Sequence, residues 1–289
     1  MKRVFHPGDE WLYLKLYMGP ETTDAFIAEV MEPFVNWLDT VNPVRNWFYI
    51  RYMDPMFHIR LRFRLRNNRD MGLLVEKLRD ISKDFYSNGL IWKTEISTYE
   101  REIERYGNYW IEAAENLFEI DSRFWISIIP SLRKISGGEE IRWQSAMLSA
   151  HSLFSDFGLS VSERIDLLAK MTDSFMVEFG GSKRLRLQLD HKLRENRELI
   201  EEIMSNPGRA GIEQLKPALG SRSRENIKAI SGGAVLLENN GILKQSSIAD
   251  IIHMSLNRGL RSKHRMQELV IYYFLKKTYI SRMAREAKS

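Results

Sequence analysis

The residues with the clearest chemical potential lie in one alternating stretch, from His58 to Arg66 (HIRLRFRLR). A period of two is typical of a β-strand, so its histidine and four arginines are predicted to share one face and its apolar residues the other. A row of like charges is costly without anionic partners, and guanidinium groups match carboxylates and phosphates. The pattern predicts either an anion-binding site or the solvated face of an ordinary half-buried strand.

Two further clusters carry chemical groups. Charged residues of both signs crowd the segment 98–107 (TYEREIERYG), which could equally be a surface ion-pair cluster. Near the C-terminus, His253 and Arg258 lie in the segment HMSLNR beside apolar neighbours. The simpler interpretation there is a helix terminus with a capping histidine.

The composition excludes several classes of protein. With 289 residues, 44% of them hydrophobic and 28% charged, the chain has the composition of a globular protein of one or two domains. It contains no cysteine, which excludes disulfides, thiolate metal sites and cysteine nucleophiles and fits a cytoplasmic location. No apolar run approaches the roughly 20 residues of a membrane span, so we expect neither export nor a span.

The standard motifs of nucleotide and metal sites are missing from the sequence. No glycine pair lies in a GxGxxG or P-loop pattern, and the six histidines lack HExxH or comparable spacing, so we expect no cofactor and no metal. The net charge of +5 favours anionic partners in general. The basic run from Lys183 to Arg197 is interrupted by acidic residues, so it predicts a solvated helix face and no direct binding of nucleic acid. The alternative is that this face contacts tRNA or an acidic peptide.

The first hundred residues alternate between strand and helix patterns. Strands are predicted at 11–17, 47–52, 58–66 and 91–99, and helices at 20–39 and 73–85. The order βαββαβ is that of a ferredoxin-like unit, in which the third strand is central. The arginine strand should therefore not be an edge strand. Its arginines should share the sheet face with Tyr13, Lys15 and Tyr17, a face that needs a cover.

From Trp110 onward nearly every segment has a helical pattern. We expect the fold class α+β, with the N-terminal ferredoxin-like sheet covered by a mainly helical C-terminal region. The chain would form a single composite domain, 1–289, with a sheet layer at 1–108, a helical layer at 109–289 and a site between them. Glycine-rich loops are predicted around 136–138, 180–182, 206–208, 231–233 and 239–241. Trp110, Trp125 and Trp143 are interpreted as helix-packing residues rather than as a peptide-binding surface.

Taken together, these segments resemble the C-terminal, glutamate-eliminating domain of lantibiotic dehydratases, found also as free-standing thiopeptide-type bacteriocin biosynthesis proteins. The resemblance covers essentially the whole chain and depends on ordered matches rather than on one motif. The matches are Pro7-Gly8 before Trp11-Leu12-Tyr13, the segment 48–52 (FYIRY) with Asp54-Pro55, 58–62 (HIRLR), 99–107 (YEREIERYG), Ala114-Glu115 with Phe118, Asp121-Ser122, His253-Met254 with Asn257-Arg258, and Glu268 with Tyr279 and Ser281. Asn108, in place of a second glycine, and the segment 259–262 (GLRS) depart from the family pattern.

The resemblance implies a defined reaction. Ser or Thr side chains of a ribosomal precursor peptide that carry glutamyl esters would lose glutamate by β-elimination, leaving dehydroalanine or dehydrobutyrine. It implies that Arg62 and Arg105 stabilise glutamyl and enolate charge, that His253 donates or accepts the proton and that Glu102 is a pairing or acid/base group. Arg60, Arg51 and Arg258 would support substrate binding.

At 289 residues the chain has no room for a tRNA-dependent glutamylation domain of the family's usual large size. A separate tRNA-dependent glutamylating protein is therefore the expected partner. Two alternatives stay open at this point: a pyridine synthase of the same fold, which joins two dehydroalanines in a formal aza-cycloaddition, and a non-catalytic module that binds the precursor peptide.

Overall fold

The computed structural model describes residues 1–135, 137–205, 212–238 and 245–287. Within these ranges all strands lie in the first hundred residues, where helices separate them, and the later residues are mainly helical. The α+β class is therefore confirmed. The strands are β1 (Val4–Phe5), β2 (Trp11–Tyr17), β3 (Val44–Met53), β4 (Phe57–Leu65), β5 (Lys93–Ile96) and β6 (Tyr99–Glu100).

Two helical segments separate the strands of the N-terminal part. They are α1 (Pro20–Phe26), a π-helical turn (Ile27–Met31) and α2 (Glu32–Val41) in one run, then α3 (Met71–Ile81) and α4 (Lys83–Ser87). The later helices are α5 (Ile103–Tyr106), α6 (Ile111–Lys134), α7 (Gly138–Asp156), α8 (Val161–Glu178), α9 (Lys183–Glu195), α10 (Arg197–Ser205), α11 (Lys216–Glu238), α12 (Gln245–Gly259) and α13 (His264–Glu286). No helix of the described residues is long and apolar enough to cross a membrane.

The main sheet is antiparallel with strand order β3-β4-β2-β5. The arginine strand β4 therefore lies inside the sheet, as the sequence predicted. Its register sets Arg62 beside Tyr13 on one side and Phe48 on the other, while Leu61 lies between Leu14 and Tyr49. The period-two pattern thus separates the two faces cleanly.

Each face of the sheet has its own buried core. The aliphatic face of β2 and β4 packs with α1, α2 and α3 in the larger core, which continues into the later helices. The opposite face forms a smaller, mainly aromatic core with the start of α6 and the β1–β6 pair, including Trp11, Tyr13, Phe48, Tyr99 and Trp110. This second core is the predicted cover of the arginine face.

The fourth predicted strand is shorter than expected. The pattern predicted a strand over 91–99, but β5 ends at Ile96, and Tyr99 belongs to β6, which pairs with β1. The ring of Tyr99 stacks on Phe5 with centroids 6.0 Å apart, so the aromatic core draws the chain away from the main sheet. Local periodicity cannot reveal such a change of partner.

One predicted loop is helical. Gly232 and Gly233 lie inside α11, where the sequence predicted a loop. A Cβ at Gly233 would lie 2.6 Å from Trp110 Nε1 and 2.8 Å from Ala113 Cβ, so glycine lets α11 approach α6 closely. The loop at 180–182 is confirmed, the one at 136–138 gives a turn at Gly137 before α7, and those at 206–208 and 239–241 lie outside the described residues.

The outer edge of β3 is covered by side chains instead of a further strand. Ser122 of α6 lies 3.2 Å from the Tyr49 N–H, the Arg258 guanidinium donates to the Tyr49 carbonyl (2.8 Å), and the Arg51 N–H donates to the Asn257 side chain (2.9 Å). Backbone groups at a buried edge need such partners. These bonds fix α12, which carries His253, to the sheet.

Candidate functional site

The four arginines of β4 differ in their partners. Arg64 pairs with Glu10 (3.3 Å) and Glu112 (3.2 Å), and Arg66 is exposed and donates to Asn42 (3.1 Å). Among the described residues, neither Arg60 nor Arg62 forms a salt bridge with a carboxylate. Among the described residues, Arg64 is thus the one arginine of the row that pairs with carboxylates, and the exposed Arg66 lacks such a partner as well. Arg60 and Arg62, which the resemblance selects, are the two unneutralised arginines that are at least partly buried.

Arg62 is held by aromatic rings. It is 8% exposed, and its guanidinium carbon lies 4.5 Å from the ring centre of Tyr13, 5.0 Å from that of Tyr99 and 5.3 Å from that of Phe48. Its Nε is buried and has no hydrogen-bond partner among the described residues. A buried, unneutralised cation of this kind is stabilised by an anion.

Arg60 is held by a different pair of contacts. Its guanidinium carbon lies 3.3 Å from the centre of the Tyr52 ring, and its Nε donates to Nε2 of His58 at 3.0 Å. Since Nδ1 of His58 lies 2.8 Å from the Met56 carbonyl, which can only accept, the neutral ring carries its proton on Nδ1. Burial lowers the pKa of His58, which favours this neutral form.

His253 on α12 is oriented by a buried carboxylate. Its Nδ1 lies 2.7 Å from Oε2 of Glu268, which is fully buried on α13 and also accepts a hydrogen bond from the Tyr272 hydroxyl at 3.0 Å. A carboxylate accepts, so Nδ1 of His253 donates to it and the lone pair of the neutral ring lies on Nε2. The His253 side chain remains 26% exposed. This arrangement is suited to proton transfer at Nε2.

Arg105 lies between two carboxylates. Its Nε is 3.1 Å from Glu102 and its Nη1 is 3.6 Å from Asp250 of α12. Burial alone would lower the pKa of Arg105, but these two carboxylates raise it above its ordinary value. The Ser247 hydroxyl also donates to the Arg105 carbonyl at 2.5 Å, which ties α5 to α12.

Two cavities meet at His253. The first, of about 450 Å³, which we call the His253 cavity, lies between α5, α8, α12 and α13 and is also lined by Arg105, Asp250 and Arg265. The second, of about 480 Å³ and mostly apolar, lies under the β3–β4 hairpin and is lined by Tyr52 and again by His253 and Arg265. Space therefore lies on both sides of His253.

The predicted site residues are only partly brought together. Arg105 and His253 line one cavity, and Glu102 reaches it through Arg105. Arg60 approaches the second cavity through its stacking on Tyr52. Arg62 lines neither cavity and lies in the aromatic core.

Arg51 and Arg258 are the most deeply buried of the predicted residues, and Arg51 is also among the residues that line the second cavity. Both are fully buried, Arg51 against Asp24 (2.5 Å) and Arg258 against Asp121 (3.1 Å). Their partners bind second arginines, Arg142 and Arg222 respectively. In this structure the two predicted binding residues connect helices to β3.

Three residues of this region were not singled out as site residues from the sequence: Asp250, Arg265 and Glu268. Glu268 did give a signal, since it occupies the apolar stripe of α13 with Tyr272 and Leu275, where a charge needs a partner. Its partner on another helix follows only from the fold.

The described residues contain no group of three or more acidic, histidine or cysteine side chains that could hold a metal ion.

The chain matches proteins of known families over most of its length. Residues 11–279 match the family model described as lantibiotic biosynthesis dehydratase, C-terminal. The subtilin biosynthesis protein SpaB of Bacillus subtilis is 27% identical over 294 residues, which cover 93% of this chain and 25% of SpaB. The nisin biosynthesis protein NisB of Lactococcus lactis subsp. lactis is 28% identical, covering 95% of this chain and 26% of NisB. The chain thus spans about a quarter of the length of these relatives.

Solved structures show the same fold. The tRNA-dependent lantibiotic dehydratase MibB from Microbispora sp. 107891 superposes with a TM-score of 0.74 at 22% identity, covering 96% of this chain and 29% of MibB. The pyridine synthase TbtD from thiomuracin biosynthesis superposes with a TM-score of 0.64 at 13% identity, covering 94% of this chain and all of TbtD. At these identities the likeness concerns the fold alone. The sequence match over residues 11–279 goes further, and by it the chain belongs to the lantibiotic dehydratase C-terminal family.

Proposed function

We propose that this protein eliminates glutamate from glutamylated Ser and Thr residues of a ribosomal precursor peptide. The observation that carries the proposal is the pairing of His253 with buried Glu268 at the wall of a cavity that Arg105 also lines. An elimination of this kind needs a base for the Cα proton and cations for the developing negative charge. Both are present at one cavity.

The reaction follows from these groups. Nε2 of His253 removes the Cα proton of the esterified residue, and the negative charge that develops on the adjacent carbonyl oxygen is stabilised by arginine. The Cα–Cβ double bond then forms as the Cβ–O bond breaks, and the electron pair leaves with the glutamate carboxylate. At the His253 cavity Arg105 stabilises the charges and Glu102 holds Arg105. By the family resemblance Arg62, which lies outside both cavities, shares the charge-stabilising role, and Arg60, Arg51 and Arg258 support substrate binding. Arg51 also lines the second cavity, and Arg258 connects α12 to β3.

The proposal extends to the architecture and the partners. The sheet with order β3-β4-β2-β5 and helices on one face supports a ferredoxin-like unit, and the cores shared between strands and later helices support a single composite domain. The substrate is a glutamylated precursor peptide, and a separate tRNA-dependent protein supplies the glutamyl group. The tRNA dependence is proposed by likeness to MibB, a tRNA-dependent lantibiotic dehydratase with the same fold.

Mass spectrometry of a glutamylated peptide incubated with this protein alone tests the proposal. We expect loss of glutamate with formation of dehydroamino acids. A second peptide that already carries two dehydroalanines is incubated in parallel. If the glutamylated peptide stays unchanged, ring formation with loss of the leader from the second peptide would show a pyridine synthase, and no change in either peptide would show a binding module. Either result contradicts elimination.

Variants test the site in the presence of the glutamylating partner. Arg62→Ala and His253→Ala should accumulate glutamylated peptide, because a positioned charge-stabilising donor or a general base contributes about a hundredfold or more. Arg66→Ala, on the exposed end of the same row, is the matched control and should eliminate at the normal rate. Full dehydration by Arg62→Ala or His253→Ala would remove that residue from the site.

A further inference from the structure

The group that leaves in the proposed reaction carries two opposite charges. Whichever of its carboxyl groups forms the ester, glutamate keeps a free ammonium and a second, free carboxylate. A site that recognises it must offer a cation and an anion at a fixed separation. The arginines account for the carboxylate and leave the ammonium without a partner.

The lining of the His253 cavity contains one acidic side chain among cations. Arg105, Lys170 and Arg265 are the cations and Asp250 is the carboxylate among the described lining residues. Arg265 already pairs with Glu178, and Lys170 donates to Gln245 at 2.9 Å. Asp250 is therefore the lining residue suited to a cationic group of the substrate.

Asp250 has capacity for a second cation. Its side chain is 28% exposed, and the ion pair that the described residues offer it is Arg105 at a long 3.6 Å. Burial raises the pKa of Asp250, against the opposing effect of Arg105 and His253, so its charge is incompletely compensated. Arg105 does not depend on Asp250, because Glu102 holds its guanidinium and Ser247 holds its carbonyl.

Its place on the helix connects Asp250 to the reaction. Asp250 precedes His253 by three residues on α12, so the two side chains lie on one face of the helix about a turn apart. We propose that Asp250 binds the free ammonium of the glutamyl group and so makes the cavity selective for aminoacyl esters. This inference rests on the proposed glutamate elimination and names its specificity-determining residue.

Two substrates and two proteins test it. One precursor peptide carries a glutamyl ester at a single Ser, and the other carries a glutaryl ester, which has the same free carboxylate but no ammonium. Each is incubated with the unaltered protein and with Asp250→Asn, and kcat/KM for loss of the acyl group is measured by mass spectrometry. Asp84→Asn, on the distant exposed α4, is the matched control.

Asp250→Asn should lower kcat/KM for the glutamyl ester about ten- to a hundredfold, the usual contribution of a contact to a charged group, and leave the glutaryl ester within about threefold. Differences in leaving-group reactivity cancel, because each ester is compared with itself across the two proteins. Equal losses for both esters would overturn the inference, since they would place Asp250 in the support of Arg105 or of the fold. An unchanged rate for the glutamyl ester would overturn it as well.

The same experiment distinguishes failure of the proposed elimination activity from failure of the role of Asp250. If the unaltered protein eliminates neither ester, the elimination activity itself is wrong and this inference falls with it. If it eliminates both and Asp250→Asn does not distinguish them, elimination stands and the role of Asp250 alone is refuted.

Discussion

At the level of single residues, the proposed site depends on a carboxylate that lines neither of the two cavities. Glu268 is fully buried and receives hydrogen bonds from both His253 and Tyr272 at its Oε2. Without it the His253 ring could rotate and present either nitrogen. The buried carboxylate therefore fixes which nitrogen can take the proton.

Glu268→Gln should reduce kcat for elimination about tenfold or more, with KM for the glutamylated peptide little changed. The amide keeps the volume of the side chain but no longer fixes the ring nitrogen with a charge. Steady-state kinetics by mass spectrometry measure both constants. Tyr272→Phe, which removes a donor to Glu268 and leaves His253 bonded, should lose less; a kcat for Glu268→Gln equal to that of the unaltered protein would contradict the positioning role.

Of the pair His253 and Glu268, the sequence indicated only His253 as a site residue. Arg60, Arg62 and His253 were singled out because alternation and family resemblance are visible in a single chain. Glu268 and Asp250 act through helices that meet only in the folded protein, since Glu268 reaches His253 from α13 and Asp250 reaches Arg105 of α5. A buried charge in the apolar stripe of α13 signals a partner but cannot name it.

At the level of elements, the position of α12 is set by the covered edge of β3. The Asn257 side chain accepts the Arg51 N–H, and Arg258 bonds to the Tyr49 carbonyl, one helical turn from His253. These contacts connect the strand that neighbours the arginine row with the helix that carries the histidine. Loss of these hydrogen bonds at the edge of β3 would therefore displace α12 and, with it, His253.

Asn257→Ala should lower the free energy of unfolding by about 1–3 kcal/mol, because it leaves the largely buried Arg51 N–H without an acceptor. Urea unfolding measures the difference. Asn36→Ala, on the exposed side of α2, is the matched control and should stay within about 0.5 kcal/mol. Equal stabilities for the two variants would show that the covered edge contributes nothing.

Elements with strong periodicity were predicted well. The alternation of Trp11–Tyr17 and of the arginine stretch gave β2 and β4 almost to the residue. The errors occurred where a distant contact decided the structure. Gly233 lies inside α11 at a point where a side chain would clash with Trp110, just before α6, and Tyr99 pairs with β1 and stacks on Phe5 instead of continuing the main sheet.

At the level of the whole molecule, two buried clusters connect the sheet to the helices. Asp24 lies between Arg51 and Arg142, and Asp121 lies between Arg222 and Arg258. Each joins β3, directly or through a backbone hydrogen bond, to helices from distant parts of the chain. Buried charges of this kind hold one arrangement, because separating any partner leaves a charge without compensation.

Two partly buried histidines add a dependence of stability on pH. Burial lowers the pKa of His151 and of His264 to about 4, well below the ordinary value of 6.5. As the pH falls below 6.5, the unfolded chain binds protons at these positions before the folded protein does. Above pH 6.5 the two histidines therefore leave the free energy of unfolding at its full value. As the pH falls from 6.5 towards 4, each of them lowers it progressively.

From the size of these pKa shifts, the loss should reach about 3 kcal/mol per histidine near pH 4. Carboxylates titrate in the same range, so the measurement compares proteins as well as pH values. Urea unfolding at pH 7 and pH 4.5 should show a smaller pH dependence for His151→Gln and His264→Gln than for the unaltered protein, and His191→Gln, at an exposed position on α9, should match the unaltered protein. An identical pH dependence in all four proteins would mean that neither His151 nor His264 resists protonation in the folded state.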